Sequence, residues 1–238
     1  MGPGFILWGT APLLISLGMR VVTRDWSDLG IKPVIGKNIH WYLLSFLAIP
    51  ILMLVTLFVD DVFSLAAVPD FSLGKFLRTF LTALPIFFIF AIFEEVGWRG
   101  YLAPKLAALG VNRYLSAALV AFVWASWHLP YISELTWLNN TGDLGSFIPR
   151  FYLVCFAMAV VYGEIRNSTA SFWPAVLMHA VANSFGHPLS AEYVKYVSGT
   201  EYLGSISNGL LFIALVFLLG VIISHRRSMQ VTTAKSSV

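Results

Sequence analysis

Seven apolar stretches, most of them close to the length of a membrane span, decide what this chain can fold into. Hydrophobic residues make up 58% of its 238 positions and charged residues only 11%, whereas soluble proteins average roughly 45–50% and about 25%. A helix needs about 20 apolar residues to cross a hydrocarbon core. We therefore predict an all-α, polytopic transmembrane helix bundle of about seven spans, near residues 3–19, 41–59, 79–98, 115–131, 147–165, 172–188 and 209–224.

Neither an internal repeat nor a long polar linker divides the chain. The sequence therefore predicts a single membrane domain over residues 1–238, with a flexible cytoplasmic tail at 228–238. Cys155 is the one cysteine and lies inside a predicted span, so a disulfide within the chain is excluded.

The basic residues predict the orientation of the bundle, because cytoplasmic loops are enriched in Lys and Arg. One set of alternate loops carries Arg20, Arg24, Lys32, Lys37, Lys105, Arg113, Arg166, Arg226, Arg227 and Lys235, whereas the other carries Lys75, Arg78, Arg150 and Lys195. We expect the N-terminus outside and the C-terminus in the cytoplasm.

Membrane lipids are expected partners. Nucleic acid is not, since a Gly-rich phosphate loop and a basic patch interleaved with exposed aromatics are both missing from the sequence.

Charged residues interrupt the third apolar stretch. Glu94 and Glu95 follow the apolar run 81–93, and Arg99 comes four residues after Glu95. An ionised side chain inside a bilayer costs about 2.5–3.5 kcal/mol even on a lenient insertion scale, so such residues need compensation or a function. The i,i+4 spacing places Glu95 and Arg99 on one helix face. We expect Arg99 to neutralise Glu95, which leaves Glu94 for another role.

Two further spans carry polar residues at the same helical spacing. Trp124 and His128 share a face shortly before Pro130, and His179 shares a face with Asn183. Polar side chains in membrane spans face the bundle interior rather than lipid. We therefore expect Glu94, His128, His179 and Asn183 to converge on one water-sized pocket. His187 could share the face of Asn183, but Pro188 favours an incidental position at the span end.

These residue types suit hydrolysis without a covalent nucleophile. A desolvated glutamate beside an imidazole can activate water, while a second histidine and an amide can donate hydrogen bonds to an oxyanion. Each residue also has a structural interpretation. Glu95 with Arg99 could be only an ion pair, His128 a packed histidine on a backbone carbonyl, and Asn183 a hydrogen-bond partner between helices.

The motifs Glu94-Glu95-x-x-x-Arg99, Trp124-x-x-x-His128 and His179-x-x-x-Asn183, in this order, resemble the CAAX-protease and bacteriocin-processing (CPBP, Abi) family of intramembrane endopeptidases. The segment Gly97-Trp-Arg-Gly-Tyr-Leu102 resembles its prokaryotic branch, whose members suggest a plasma-membrane location. The resemblance covers a catalytic core of about residues 80–190. Trp124 stands where the family's motif usually has Phe, and we interpret it as a packing residue.

The resemblance implies an activity and roles for the motif residues. Glu94 with His128 would activate water, His179 and Asn183 would form the oxyanion hole, and Glu95 and Arg99 would support the site. The substrate would be a peptide or a lipid-modified peptide. Eukaryotic relatives remove three residues after a prenylated cysteine, and prokaryotic relatives have roles that include peptide maturation and bacteriocin immunity.

Metal use is left open by the resemblance. The family has been discussed as metalloendopeptidases, and Glu94, His128 and His179 are the candidate ligands for a divalent metal such as zinc. A His-Glu-x-x-His helix is missing from the sequence. We favour water activation that requires no cofactor.

Two other functions fit the same residues. The chain could be a non-catalytic immunity or scaffold protein with a structural buried polar cluster, or a transporter with Glu94 as proton carrier.

The predicted depths of the site residues in the membrane do not match. In the predicted topology Glu94 and His128 differ in depth by on the order of 10 Å, at about 1.5 Å per residue. Helix tilt, kinks near Gly97 and Pro130, or a shifted span start could remove this difference.

Overall fold

Helices account for all seven apolar stretches. The computed structural model of the chain describes residues 3–133 and 143–236. The helices are α1 (Pro3–Thr23), α2 (Ile35–Val62), α3 (Leu73–Gly97), α4 (Ala103–Ala108), α5 (Arg113–His128), α6 (Leu144–Thr169), α7 (Trp173–Pro188), α8 (Glu201–Gly204) and α9 (Leu210–Ser236). The predicted all-α fold is confirmed.

Five helices among the described residues are long and apolar enough to cross a membrane, namely those spanning Gly4–Thr23, Ile35–Val62, Leu73–Ala108, Leu144–Thr169 and Leu210–Met229. The other two apolar stretches form α5 and α7, which have 16 residues each. A 3₁₀ turn at Leu129–Tyr131 and a π turn at Leu189–Tyr193 continue them. Seven spans is therefore roughly consistent with the fold.

Short elements connect the helices at their ends. Strand β1 (Ala66–Ala67) pairs antiparallel with β2 (Lys195–Tyr196), which joins the loop after α2 to the loop after α7. Helical backbone continues to Ser236 in α9, into the segment 228–238 that the sequence assigns to a flexible tail. The mobility of that segment stays a prediction.

A π turn at Trp98–Leu102 joins α3 to α4 without a break in the helical path. It begins directly after the glutamate pair and Gly97. A Cβ atom at Gly97 would lie 2.7 Å from Cβ of Pro12, so only glycine lets α1 approach α3 this closely. Single π turns inside α-helices occur frequently at functional sites.

The helix packing places α7 at the centre of the bundle. It contacts both α3 and α2, while α1 lies on the outer side of α3, and α6 packs against α5 and α9. Small buried residues such as Ala175, Ala180 and Ser184 permit this close approach. The glutamates of α3 and His179 of α7 therefore meet across one interface.

Candidate active site

Glu95 is held in the bundle interior by two cationic or hydrogen-bonding partners. Arg99 Nη1 donates to Glu95 Oε1 at 2.9 Å, and the two side chains are 1% and 0% exposed. His179 Nδ1 lies 2.9 Å from the same oxygen. The i,i+4 pair expected from the spacing thus forms, and it also fixes the ring of His179 on the neighbouring helix.

Glu94 faces the same histidine from the other side. Its Oε1 atom lies 3.9 Å from His179 Nε2, and its Oε2 atom accepts a hydrogen bond of 2.6 Å from the indole N–H of Trp124. The interpretation of Trp124 as a packing residue is therefore wrong, because its N–H directly binds a carboxylate. Phenylalanine, which the family's motif usually has here, lacks this donor.

His128 is oriented by the backbone of its own helix. Its Nδ1 atom lies 2.8 Å from the carbonyl oxygen of Trp124. Since a carbonyl only accepts, Nδ1 carries the proton and Nε2 of the neutral ring is left as an acceptor. Within the described part of the chain, His128 and Glu94 share neither a hydrogen bond nor an ion pair, and Trp124 contacts both.

The depth difference expected between Glu94 and His128 does not keep their helices from meeting. Trp124 on α5 reaches Glu94 on α3, and His128 lies one turn further along α5. The helices depart from regular α geometry close to the positions at which the sequence suggests kinks. The π turn begins after Gly97, and Pro130 lies in the 3₁₀ turn after α5.

A cavity of about 140 Å³ lies beside these residues, and we call it the catalytic cavity. His128, His179 and Asn183 line it together with Trp124. Glu94 stands behind this wall, 7% exposed and in contact with Trp124 and His179. The structure thus gathers the four predicted residues around one space, with three of them on its surface. Their catalytic roles stay predictions.

Further polar residues line the catalytic cavity outside the predicted set, Tyr162, His187 and Asn208 among them. Tyr162 of α6 and His187 of α7 line it, so His187 does not lie outside the site as Pro188 suggested. Asn208 lines it from the loop before α9. For Tyr162 and Asn208 the one signal is a polar residue within or beside a predicted span, whereas the i,i+4 spacing from Asn183 already points to His187.

Asn208, which lines this cavity, carries an unused donor. Arg150 Nη1 donates to Asn208 Oδ1 at 3.2 Å, which settles which end of the amide carries the nitrogen. The side chain is 2% exposed, and its Nδ2 atom is buried without a hydrogen-bond partner. A buried donor of this kind fits a carbonyl group of an occupant of the catalytic cavity.

The donor atoms of the site are not arranged around a common metal position. Among the described residues, no group of three or more His, Cys, Asp or Glu side chains could hold a metal ion. Glu94 Oε2 is bound to the Trp124 indole, and His179 Nδ1 lies on Glu95. Among the described residues, the candidate ligands Glu94, His128 and His179 do not form such a group, and we derive no step through a metal.

Comparison with known proteins gives a family for the same segment. The profile of the family described as Type II CAAX prenyl endopeptidase Rce1-like matches residues 76–185, which contain all three motifs. The chain is also 24% identical over 219 residues to CAAX prenyl protease 2 of Methanococcus maripaludis, covering 85% of this chain and 75% of the relative. The resemblance seen in the motifs is therefore confirmed: the chain is a relative of the Rce1-like CAAX prenyl endopeptidases and, like them, a membrane protease.

Proposed function

We propose that this protease hydrolyses a peptide bond within the membrane by means of a water molecule activated by Glu94 and His128. The observation that carries the proposal is the contact of Trp124 with both groups. The indole N–H holds Glu94 Oε2, and the carbonyl of the same residue holds His128 Nδ1. The other basic atoms of these two side chains are then Glu94 Oε1, which lies 3.9 Å from His179 Nε2, and His128 Nε2.

The proton transfers follow from these assignments. Glu94 Oε1 takes a proton from water as the oxygen adds to the scissile carbonyl carbon. His128 Nε2 orients the water and relays the proton to the departing amine, so the products are a carboxylate and an amine. Donors that are already fixed in place need no reorganisation as charge develops in the transition state.

The developing oxyanion would be stabilised by His179 and Asn183, which both line the catalytic cavity. His179 Nδ1 donates to Glu95 at 2.9 Å, and Arg99 holds that carboxylate in turn. When the ring of His179 is protonated, its Nε2–H group is available to the oxyanion. Loss of one such donor typically costs about 2.7–4 kcal/mol of transition-state stabilisation.

Two site variants and a glutamate-to-glutamine control test the mechanism. We expect purified Glu94→Gln and His128→Ala to lose about 100- to 10,000-fold in kcat on a quenched fluorescent peptide, as is typical for a lost general acid or base. Glu192→Gln is the control, since Glu192 forms a surface ion pair with Lys75. Full turnover in both site variants would refute the mechanism, and it would favour a structural role for the polar cluster.

The substrate proposed here is a peptide or lipid-modified peptide, and it follows from the relative's name, CAAX prenyl protease 2. Mass spectrometry of prenylated and unprenylated peptides of one sequence would identify the cleaved bond and the need for the lipid. A role in bacteriocin immunity would depend on the same hydrolysis. We therefore expect Glu94→Gln to abolish any immunity that the wild-type protein confers on cells.

The reaction is proposed to need no metal. Turnover should survive prolonged dialysis against a chelator, and the dialysed protein should contain less than stoichiometric zinc by elemental analysis. Loss of turnover that zinc restores would overturn this part of the proposal.

We further propose a plasma-membrane location with the N-terminus outside, on the basis of the loop asymmetry in Lys and Arg. Cys155 is the one cysteine, so a Cys155→Ala background permits topology mapping by single introduced cysteines. A cysteine at Thr23 should then react only after the cytoplasmic face is exposed. Labelling of intact cells at that position would reverse the orientation.

A further inference from the structure

A second cavity, of about 490 Å³, lies on the other side of Arg99 from the catalytic cavity. It is bounded by α4, α5, α6 and α9 at the end of the bundle where most basic loops lie. Its charged lining consists of four arginines and one carboxylate, Arg99, Arg113, Arg166, Arg227 and Glu164. We call it the basic cavity.

The carboxylates near the basic cavity do not balance its arginines. Glu164 lies 3.4 Å from Arg227 and 3.9 Å from Arg113, and Glu95 pairs with Arg99 at 2.9 Å. Four guanidinium groups against two carboxylates leave a formal charge of +2. Arg166 donates to the backbone carbonyls of Arg99 and Asp28, and it has no carboxylate within ion-pair distance among the described residues.

Two arginines that line the basic cavity carry donors without a hydrogen bond. Arg99 Nη2 is buried without a hydrogen-bond partner, and Arg99 is 1% exposed. Arg227 Nη1 is also buried without a hydrogen bond, and its one carboxylate contact is the 3.4 Å ion pair with Glu164. Buried charged donors are normally satisfied, and unsatisfied ones point to a missing acceptor. The occupant should therefore be an anion with several acceptor oxygens.

A phosphate group satisfies these requirements better than a single carboxylate. Its oxygens can accept from two or more guanidinium groups at once, and arginine forks match phosphate in bidentate geometry. The uncharged lining is mixed, with Ala103, Ala107 and Val120 beside the polar side chains Tyr114, Ser116 and Asn167. Leu115 and Leu119 of α5 are exposed nearby on the outside of the bundle, where acyl chains would lie. Basic pockets between transmembrane helices are typical sites for phospholipid headgroups.

We propose that the basic cavity binds a phosphate group, carried by the headgroup of an anionic phospholipid. Arg99, Arg166 and Arg227 contact the phosphate oxygens, and Arg113 stands at the rim, 3.1 Å from Ser228 Oγ. This proposal does not rest on the proposed hydrolysis, because the two cavities have no lining residue in common. Arg99 connects them, since it also binds Glu95, which contacts His179.

Native mass spectrometry and thermal unfolding of the full chain in detergent test the proposal. Phosphatidylglycerol, phosphatidylcholine and inorganic phosphate are the probes. We expect phosphatidylglycerol to bind and to raise Tm, whereas phosphatidylcholine should do neither. If inorganic phosphate alone reproduces the rise in Tm, the anion site is supported with free phosphate as its source. A response to the lipid alone supports the headgroup.

Two variants with different chemistry test whether phosphatidylglycerol binds in the basic cavity. Arg227→Gln removes one cavity cation and should weaken phosphatidylglycerol binding about fivefold, as expected for one arginine near an anionic lipid. Gly163→Leu leaves every charge in place. Gly163 lines the basic cavity and a Cβ there meets nothing within 4 Å, so the leucine side chain should fill the space and block the lipid.

Arg226→Gln is the matched control, because Arg226 is exposed and does not line the basic cavity. It should bind phosphatidylglycerol like the wild type. Equal binding by the wild type and by both cavity variants would overturn the proposal, since the lipid would then be attracted only by the basic surface. Absence of any response to both phosphate probes in the wild type would overturn it as well.

Discussion

At the scale of single residues, Trp124 links the two motifs that are proposed to activate water. Its indole N–H binds Glu94 and its carbonyl binds His128. A phenylalanine would keep an aromatic ring near Tyr162 and His179, whose ring centroids lie 6.1 and 5.4 Å from that of Trp124. It would remove the donor together with part of the ring that packs against Arg99, whose guanidinium carbon lies 4.8 Å from the Trp124 centroid.

We expect Trp124→Phe to fold normally and to lower kcat by roughly 10- to 100-fold, because a hydrogen bond to a charged group contributes about 1.5–3 kcal/mol. KM should change little, since the indole N–H holds Glu94 rather than substrate. The measurement is steady-state cleavage of a fluorescent peptide, with Tm as a check on folding. A kcat equal to that of the wild type would show that the indole hydrogen bond is dispensable.

Asn208 permits the complementary test of substrate binding. Asn208→Asp keeps the shape and the contact with Arg150 but replaces the cavity-facing donor by an acceptor. We expect KM to rise about three- to tenfold with kcat within a factor of two, as suits one neutral hydrogen bond worth about 0.5–1.5 kcal/mol. A change confined to kcat would assign Asn208 to the transition state instead.

At the scale of elements, the π turn after Gly97 decides where α3 presents its charges. The helix continues from α3 into α4, so Arg99 stays within reach of Glu95 while the backbone widens locally. Arg20 of α1, which is fully buried, donates to the carbonyl of Gly100 within this turn and to Asp28 at 2.7 Å. The turn is thereby tied to the loop between α1 and α2.

That loop should be sensitive to acid. Hydrogen bonds from Lys105 and Ser27 lower the pKa of Asp25. Burial raises the pKa of Asp28, but hydrogen bonds from Arg20 and Lys105 lower it by more. The pKa of each carboxyl therefore lies below the usual value of 3.8. Carboxyls with a depressed folded-state pKa stabilise the fold above their unfolded-state pKa, and this contribution is lost as the pH falls through the folded-state pKa. We expect the Tm of the wild type to decrease as the pH drops below about 4. The decrease should be smaller in the double variant Asp25→Asn/Asp28→Asn.

The contact of α1 with α3 can be tested by a single methyl group. Gly97→Ala would place Cβ 2.7 Å from Pro12 Cβ and should lower the free energy of unfolding by about 1–3 kcal/mol through overpacking. Gly18→Ala is the control on α1, where a Cβ meets nothing within 4 Å. We expect the control to be neutral in a denaturation assay in detergent. Equal stability of both variants would mean that α1 can move away from α3 at little cost.

The seven helices were predictable because each apolar stretch is long and continuous. The Glu95–Arg99 pair was predictable because i,i+4 spacing is a local property of a helix. The contacts of Trp124 with Glu94 and of Asn208 with Arg150 join residues far apart in sequence, so spacing alone carries no information about them. Similarly, the shared position of His179 between Glu94 and Glu95 depends on how α7 crosses α3. The sequence predicts that the motif residues gather at one site, but not which atoms of each carboxylate are already engaged.

At the scale of the whole molecule, two cavities lie on either side of Arg99. On one side its contacts lead through Glu95 to His179 in the catalytic cavity, and on the other it lines the basic cavity. If an anion and a peptide both bind while sharing this arginine, thermodynamic linkage requires that each alter the affinity of the other by the same factor. Peptide affinity would then report the lipid composition of the surrounding bilayer, and a protease purified away from its lipids would understate or overstate its affinity in the cell.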